Sequence, residues 1–189
     1  MLQLVLGLVL FLGMHSFSIF AVDLRDRLVA KSERGWKLFY AVVSLVGFVL
    51  IVRGYGEIRQ SPTILYVAPA WLYHVAAVLL LPTFVFFLAP YLPGRIKRTL
   101  KHPQLVAVKL WAVAHLLVNG TLADVLLFGS FLGWAVADRI SLKRRPARPV
   151  QGAPESGFND IILIVVGLAL YAATVLWLHQ LAFGVKPLV

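Results

Sequence analysis

Lys101-His-Pro-Gln-Leu-Val-Ala-Val-Lys-Leu-Trp-Ala-Val-Ala-His-Leu-Leu-Val-Asn-Gly120 is the stretch on which the fold class turns. From Pro103 onward it is an apolar run interrupted by Lys109 and His115, and it has the length of a membrane helix, which takes about 17–25 residues. Pro103 suits the first turn of a helix, where its missing N–H costs nothing. At the other end Asn119-Gly120-Thr121 leaves room only for a tight turn before the next apolar run. The two runs are therefore expected to form an antiparallel helical hairpin. The triplet also fits a glycosylation sequon, but so close to the apolar runs the turn is the preferred reading.

Outward from this hairpin, six apolar runs fall near 2–22, 36–52, 66–91, 103–119, 122–138 and 160–183. Composition agrees: 60% of residues are hydrophobic and 14% charged, against about 25% charged in a soluble domain. The expected fold is all-α, a polytopic membrane helix bundle of six transmembrane helices forming one domain over 1–189. The first run lacks a basic leader and a small-residue cleavage site, so it reads as a retained helix rather than a signal peptide. Pro69, Pro82 and Pro90 predict kinks in the third run, and Arg53-Gly-Tyr-Gly56 and Ser61-Pro62 predict turns in the second loop. The segment 141–159 reads as a flexible basic linker. No cysteine is present, which excludes disulfides, thiolate haem ligation and cysteine zinc sites.

A net charge of +10 could indicate nucleic acid, but the cations sit in short loops between apolar runs, which is the signature of membrane orientation. Arg25, Arg27, Lys31, Arg34 and Lys37 flank the first loop. Arg95, Lys97, Arg98 and Lys101 occupy the third, and Arg139, Lys143, Arg144, Arg145 and Arg148 the fifth. The opposite side has only Arg53, Arg59 and Lys186. The bias places the odd loops in the cytoplasm and both termini outside, in the periplasm of a bacterial inner-membrane protein.

A histidine inside a membrane span is a functional candidate by default. His102 lies at the mouth of the fourth run, where an interfacial or capping role suffices, and His179 beside Trp177 suits interfacial anchoring. His15, His74 and His115 are expected deeper. Each could be a core histidine bonded to a neighbouring hydroxyl or carbonyl, but three of them without buried carboxylates point to a metal rather than a proton relay. Trp111, His115 and Asn119 are spaced by four and share a helix face; His102 points elsewhere, and Lys109 can extend to the interface. Gly129 and Gly133 form a Gly-x-x-x-Gly pair, read as close helix packing or as room for a flat macrocycle. Asp124, three residues after Thr121, fits a capping box.

His102-Pro-Gln104, Trp111-Ala-Val-Ala-His115, Asn119-Gly120 and Phe128-Gly-Ser-Phe-Leu132 together resemble the signature of the NnrU family, as do Met14-His-Ser16 and Glu33-Arg-Gly-Trp36 in order and context. The resemblance implies a bacterial membrane protein linked to nitrite and nitric oxide metabolism. It also implies kinship with plant 15-cis-zeta-carotene isomerase, which holds haem b between histidines. The matching positions are His15 and His115, with His74 as the alternate partner of His115 and Trp111 and Asn119 lining the cofactor. The plant enzymes carry a cysteine where this chain has Ala112, so no thiolate ligand or ligand switch is available, and a further plant histidine corresponds to about Arg53. At about 1.5 Å per residue, His15 lies roughly 10 Å from the cytoplasmic face and His115 roughly 20 Å. Depth alone thus favours His74 over His15.

Three functions follow for testing. The first is a haem b protein, isomerase-like or tied to nitrogen oxides, acting on a hydrophobic small molecule in the bilayer. The second is a non-enzymatic factor assisting a nitrogen-oxide reductase. The third, a transporter, is weakest, because no buried acidic residue or internal repeat supports it.

Overall fold

The structure, a computed structural model, describes residues 1–145, 148 and 150–187. Among these, every regular element is helical, and extended pairing is confined to an isolated bridge between Ile64 and Thr121. Four stretches are long and apolar enough to cross a membrane: Leu2–Phe20, Glu33–Ile58, Trp71–Leu88 and Phe158–Phe183. Their outer surfaces are apolar, with Leu45 63%, Val78 70% and Leu181 84% exposed. Soluble proteins rarely expose contiguous apolar surface on this scale, so a bilayer is the matching solvent.

The fourth and fifth expected spans are helices too, but they do not qualify by length and composition. Pro103–Val118 has 16 residues, about 24 Å of helix against a hydrocarbon core of about 30 Å. Leu122–Ser141 has 20 residues but carries Asp124, Asp138 and Arg139.

The chain divides into two compact units. The first comprises Met1–Tyr66 and Gly120–Ser141. In it α1 (Leu2–Phe20) packs along α3 (Glu33–Ile58), α2 (Val22–Lys31) lies against α3, and α8 (Leu122–Ser141) packs on α1. The α1–α3 seam is set by glycines. A Cβ at Gly7 would stand 2.6 Å from the Ile51 backbone nitrogen, one at Gly47 would stand 2.7 Å from that of Phe11, and one at Gly54 would meet the Leu4 backbone. With no side chain in the way the backbones touch, and van der Waals packing of this kind is what holds helices together in lipid.

That seam corrects two expectations. Arg53-Gly-Tyr-Gly56 is not a turn: α3 runs to Ile58 because Gly54 is a contact glycine inside it. Nor do Gly129 and Gly133 mark a close contact, since a Cβ at either meets nothing within 4 Å. The expected loop at 23–35 holds nearly all of α2, and Ser32 caps α3 by accepting a hydrogen bond from the Gly35 N–H at 3.1 Å.

The second unit comprises residues 67–119 and 142–189. Here α4 (Trp71–Leu80) and α5 (Thr83–Leu88) pack on α7 (Pro103–Val118). Also in it, α9 (Phe158–Ala173) packs on α5 around Val85, Ala89 and Leu163, and a π-helical turn, Thr174–Leu178, leads from α9 into α10 (His179–Phe183). The expected third helix, 66–91, starts only at Trp71 and breaks at Leu81-Pro82. Pro82 cannot donate the backbone bond that a continuous helix needs. Residues 63–66 are extended because they pair instead with the turn: Leu65 and Tyr66 donate their N–H groups to the Gly120 carbonyl at 2.8 and 3.1 Å, and Leu122 donates to that of Thr63 at 2.9 Å. A side chain at 120 would collide with the Tyr66 carbonyl, so glycine is required there. The turn belongs to the first unit and α7 to the second.

The third loop also contains a helix, α6 (Arg95–Leu100), capped by the Asp160 carboxylate, which accepts from the Arg95 and Ile96 N–H groups at 2.8 and 3.1 Å. Of the linker expected over 141–159, Pro146, Ala147 and Pro149 lie outside the described residues. Glu155 in the same segment forms an ion pair with Arg98.

Candidate functional site

His15 stands on α1, half-buried and inside an aromatic cluster. Its ring stacks on Phe11 at 4.2 Å, lies 5.1 Å from Tyr40 of α3 and meets Trp134 of α8 edge-on at 5.9 Å. Its Nδ1 lies 2.7 Å from the Phe11 carbonyl oxygen, one helical turn back. A carbonyl can only accept, so Nδ1 carries the proton and the ring's lone pair is on Nε2. The Trp134 indole Nε1 is buried with no hydrogen-bond partner among the described residues. Trp134 also walls an apolar groove of about 430 Å³ between α1 and α8, floored by the bare backbone of Gly13 and Gly133 and edged by Ser16 and Ser130. Of the two readings of Gly133, room rather than close packing matches this geometry.

His115 repeats the arrangement in the second unit. Its Nδ1 lies 2.8 Å from the Trp111 carbonyl oxygen, again one turn back, so its lone pair too is on Nε2. The Trp111 and His115 rings are 5.3 Å apart, and the Asn119 side-chain amide donates to the His115 carbonyl at 3.1 Å. Trp111, His115 and Asn119 are thus brought together as their spacing implied.

Two of the other histidines differ, and a third shares only part of the pattern. His74, expected deep, falls in the first turn of its helix because α4 begins at Trp71 rather than near 66, and it lies on that helix's exposed surface. His102 is the N-cap residue of α7 without a side-chain cap bond. It follows a strained turn, with Lys101 at φ 60° and the His102 N–H donating to the Leu100 carbonyl at 2.6 Å, the geometry of a γ-turn. His179, the first residue of α10, also has its Nδ1 at a carbonyl oxygen, that of Val185 at 2.7 Å, but six residues further on and not one turn back on its own helix.

Asp124 and Asp138 are buried, against the expectation of no buried acidic residue, and the role of Asp124 is wider than a cap. Its carboxylate accepts from the Thr121 N–H at 2.9 Å while its own N–H donates to the Thr121 hydroxyl at 3.3 Å, as a capping box requires; the carboxylate also accepts from the Thr121 hydroxyl at 2.6 Å and from the Tyr55 hydroxyl of α3 at 2.5 Å. Tyr55 went unnoticed in the sequence, as did the ring set around His15. One signal was legible: Tyr40, Gly47 and Gly54 recur every seven residues, which puts them on one stripe of α3.

These features define a class: an all-helical membrane protein that carries histidines oriented by their own helix backbone within apolar, aromatic surroundings. The chain belongs to the NnrU family, whose model, NnrU protein, matches residues 3–187. No match was found among curated proteins or among solved structures.

Proposed function

We propose that this NnrU-family protein binds haem b through His15 and His115. The observation that carries the reading is that both rings are fixed by the carbonyl one turn back on their own helix, which belongs in each case to an aromatic residue touching the ring. A metal-ligating histidine characteristically donates its second ring N–H to a carbonyl or carboxylate, which fixes the tautomer and raises the basicity of the ligating nitrogen. His15 and His115 both do so, to Phe11 and Trp111. The surroundings fit a flat apolar macrocycle: open space at Gly13 and Gly133, aromatic faces at Phe11 and Tyr40, and the partnerless Trp134 indole N–H. No group of three or more His, Cys, Asp or Glu able to hold a metal occurs among the described residues. A metal bound here would therefore bring most of its own ligands, as haem iron does. Bound haem would supply one-electron chemistry; the chain's own part is to orient two imidazoles, to exclude water with aromatic rings and to keep charge out of the span.

With the family's link to nitrite and nitric oxide metabolism, the reading is a haem protein of the bacterial inner membrane, crossing six times with both termini in the periplasm. It serves nitrogen-oxide chemistry or a redox-dependent isomerisation of a hydrophobic molecule. Absorption spectroscopy of protein purified from haem-replete cells tests it. The expected spectrum has an intense Soret band and a low-spin, six-coordinate form, since no cysteine offers an alternative ligand. His15→Ala and His115→Ala should each lose haem or become five-coordinate, whereas His102→Ala should change nothing. Loss of the band in His74→Ala but not in His15→Ala would move the ligand to α4. Absence of any Soret band would remove the cofactor and leave the assembly-factor reading.

A further inference from the structure

Beneath α2 the first unit has a second cavity, of about 340 Å³, where α1 and α3 approach the first loop. Met14 and Phe17 of α1, Val29 of α2, and Trp36 and Tyr40 of α3 form an apolar slot. Arg25 and Lys37 bring cations to its rim, and Glu33 stands beside Lys37. Helix periodicity produces the division: Arg25 and Val29 are one turn apart on α2, and Glu33, Lys37 and Tyr40 descend one side of α3 from loop to span. Both cations are held by carboxylates of their own helix, Arg25 by Asp26 at 2.8 Å and Lys37 by Glu33 at 2.6 Å. The Lys37–Glu33 pair is exposed and the Arg25–Asp26 pair partly so, and ion pairs open to solvent are weak and yield to a better-placed anion.

The outer side of α2 indicates where the cavity lies. Leu24 and Leu28, one turn apart, are 50% and 38% exposed and are flanked by Arg27 and Lys31. This is the pattern of a helix lying in the membrane interface, leucines in the acyl boundary and cations among the headgroups. The Trp36 and Tyr40 rings, 6.4 Å apart, suit the same level. We propose that this cavity binds an anionic phospholipid, with its phosphate between Arg25 and Lys37 and the first part of one acyl chain against Phe17, Met14 and Trp36. The occupant follows from the cavity's own chemistry: a cationic rim at headgroup height continuous with an apolar slot that descends beside a span. The inference is independent of haem.

The test uses the full chain in a mild detergent. Native mass spectrometry against an equal mixture of phosphatidylglycerol and phosphatidylcholine with identical chains should show preferential retention of phosphatidylglycerol, on the order of tenfold for two cations near the headgroup plane. The Arg25→Gln, Lys37→Gln double variant should fall to near parity while its elution and melting are unchanged. A second measurement needs no charge variant. Brominated-chain phosphatidylglycerol should quench tryptophan emission more in the wild type than in Trp36→Phe, and brominated phosphatidylcholine should quench the two alike. Parity in the wild type, an undiminished preference in the double variant, or equal quenching by the two lipids would overturn the proposal. Displacement of the lipid by inorganic phosphate at the same concentration would overturn it as well, since the site would then recognise a bare anion.

Discussion

Gly47→Ala is the sharpest probe of how the first unit is held together. The new methyl would stand 2.7 Å from the Phe11 backbone nitrogen and 3.1 Å from both the Phe11 Cα and the Gly7 carbonyl oxygen. All three are backbone atoms of α1, so no side chain can swing aside. Relief to an ordinary contact of about 3.5 Å requires α1 and α3 to part locally by roughly 0.8 Å, and a gap of that size forfeits a quarter to a half of each dispersion contact it opens. Overpacking typically costs about 1–3 kcal/mol, and alanine returns up to about 1 kcal/mol through its better helix propensity. The net loss, up to about 2 kcal/mol, corresponds to a fall of up to about 8 °C in melting temperature for a chain of this size, and the propensity gain cancels when the variant is compared with a second glycine-to-alanine change. Gly129→Ala is the matched control: its methyl meets nothing within 4 Å and it does not line the groove beside His15, so only the propensity gain remains and the melting temperature should hold or rise. Thermal unfolding in detergent, followed by circular dichroism, measures both. Equal melting temperatures for the two variants would refute the argument that glycine-to-backbone contact sets the α1–α3 seam.

Asp124→Ala would leave the Tyr55 hydroxyl and the Thr121 N–H and hydroxyl without their acceptor. Each unmade bond costs about 1–3 kcal/mol, so the variant should melt far lower than Tyr55→Phe, which removes one donor; similar melting in the two would show that the network is unimportant. Tyr66 has its phenol raised by burial and by the nearby Asp124 carboxylate. Because the folded state favours the neutral form, this contribution is complete below the ordinary value of 10.0 and is lost as pH rises through the raised one. Tyr66→Phe should therefore lose less stability than wild type between about pH 9 and about pH 11, and identical slopes would count against the assignment. For orientation, a reporter active only in the cytoplasm should work when inserted at Gly152 and fail when fused after the last residue; the reverse pattern would invert the charge argument.

The membrane class was legible in the sequence because run length and charge content are local properties, and a bilayer reads them directly. The capping box at Thr121 and Asp124 and the Trp111, His115, Asn119 face were legible for a similar reason: neighbours three or four residues apart meet in any helix. The failures share the opposite cause. Gly54 and Gly133 are chemically alike, and each lies in a pattern that supports packing, yet one touches a facing backbone and the other borders open space. Gly54 also stood in what composition marked as a turn, yet it lies inside α3 with its bare backbone against α1.

What the sequence determined by itself was therefore the all-helical membrane character, the approximate place of most helices and the set of candidate histidines. The tertiary structure decided which residues those histidines meet, where α3 and α4 begin and end, and which glycines carry the packing. His15 depends on Tyr40 and Trp134, and Asp124 on Tyr55, residues far away along the chain. Hydropathy marks where a helix forms but is nearly blind to which of its faces meets a neighbour, because in lipid both faces are apolar and the choice rests on shape and a few hydrogen bonds.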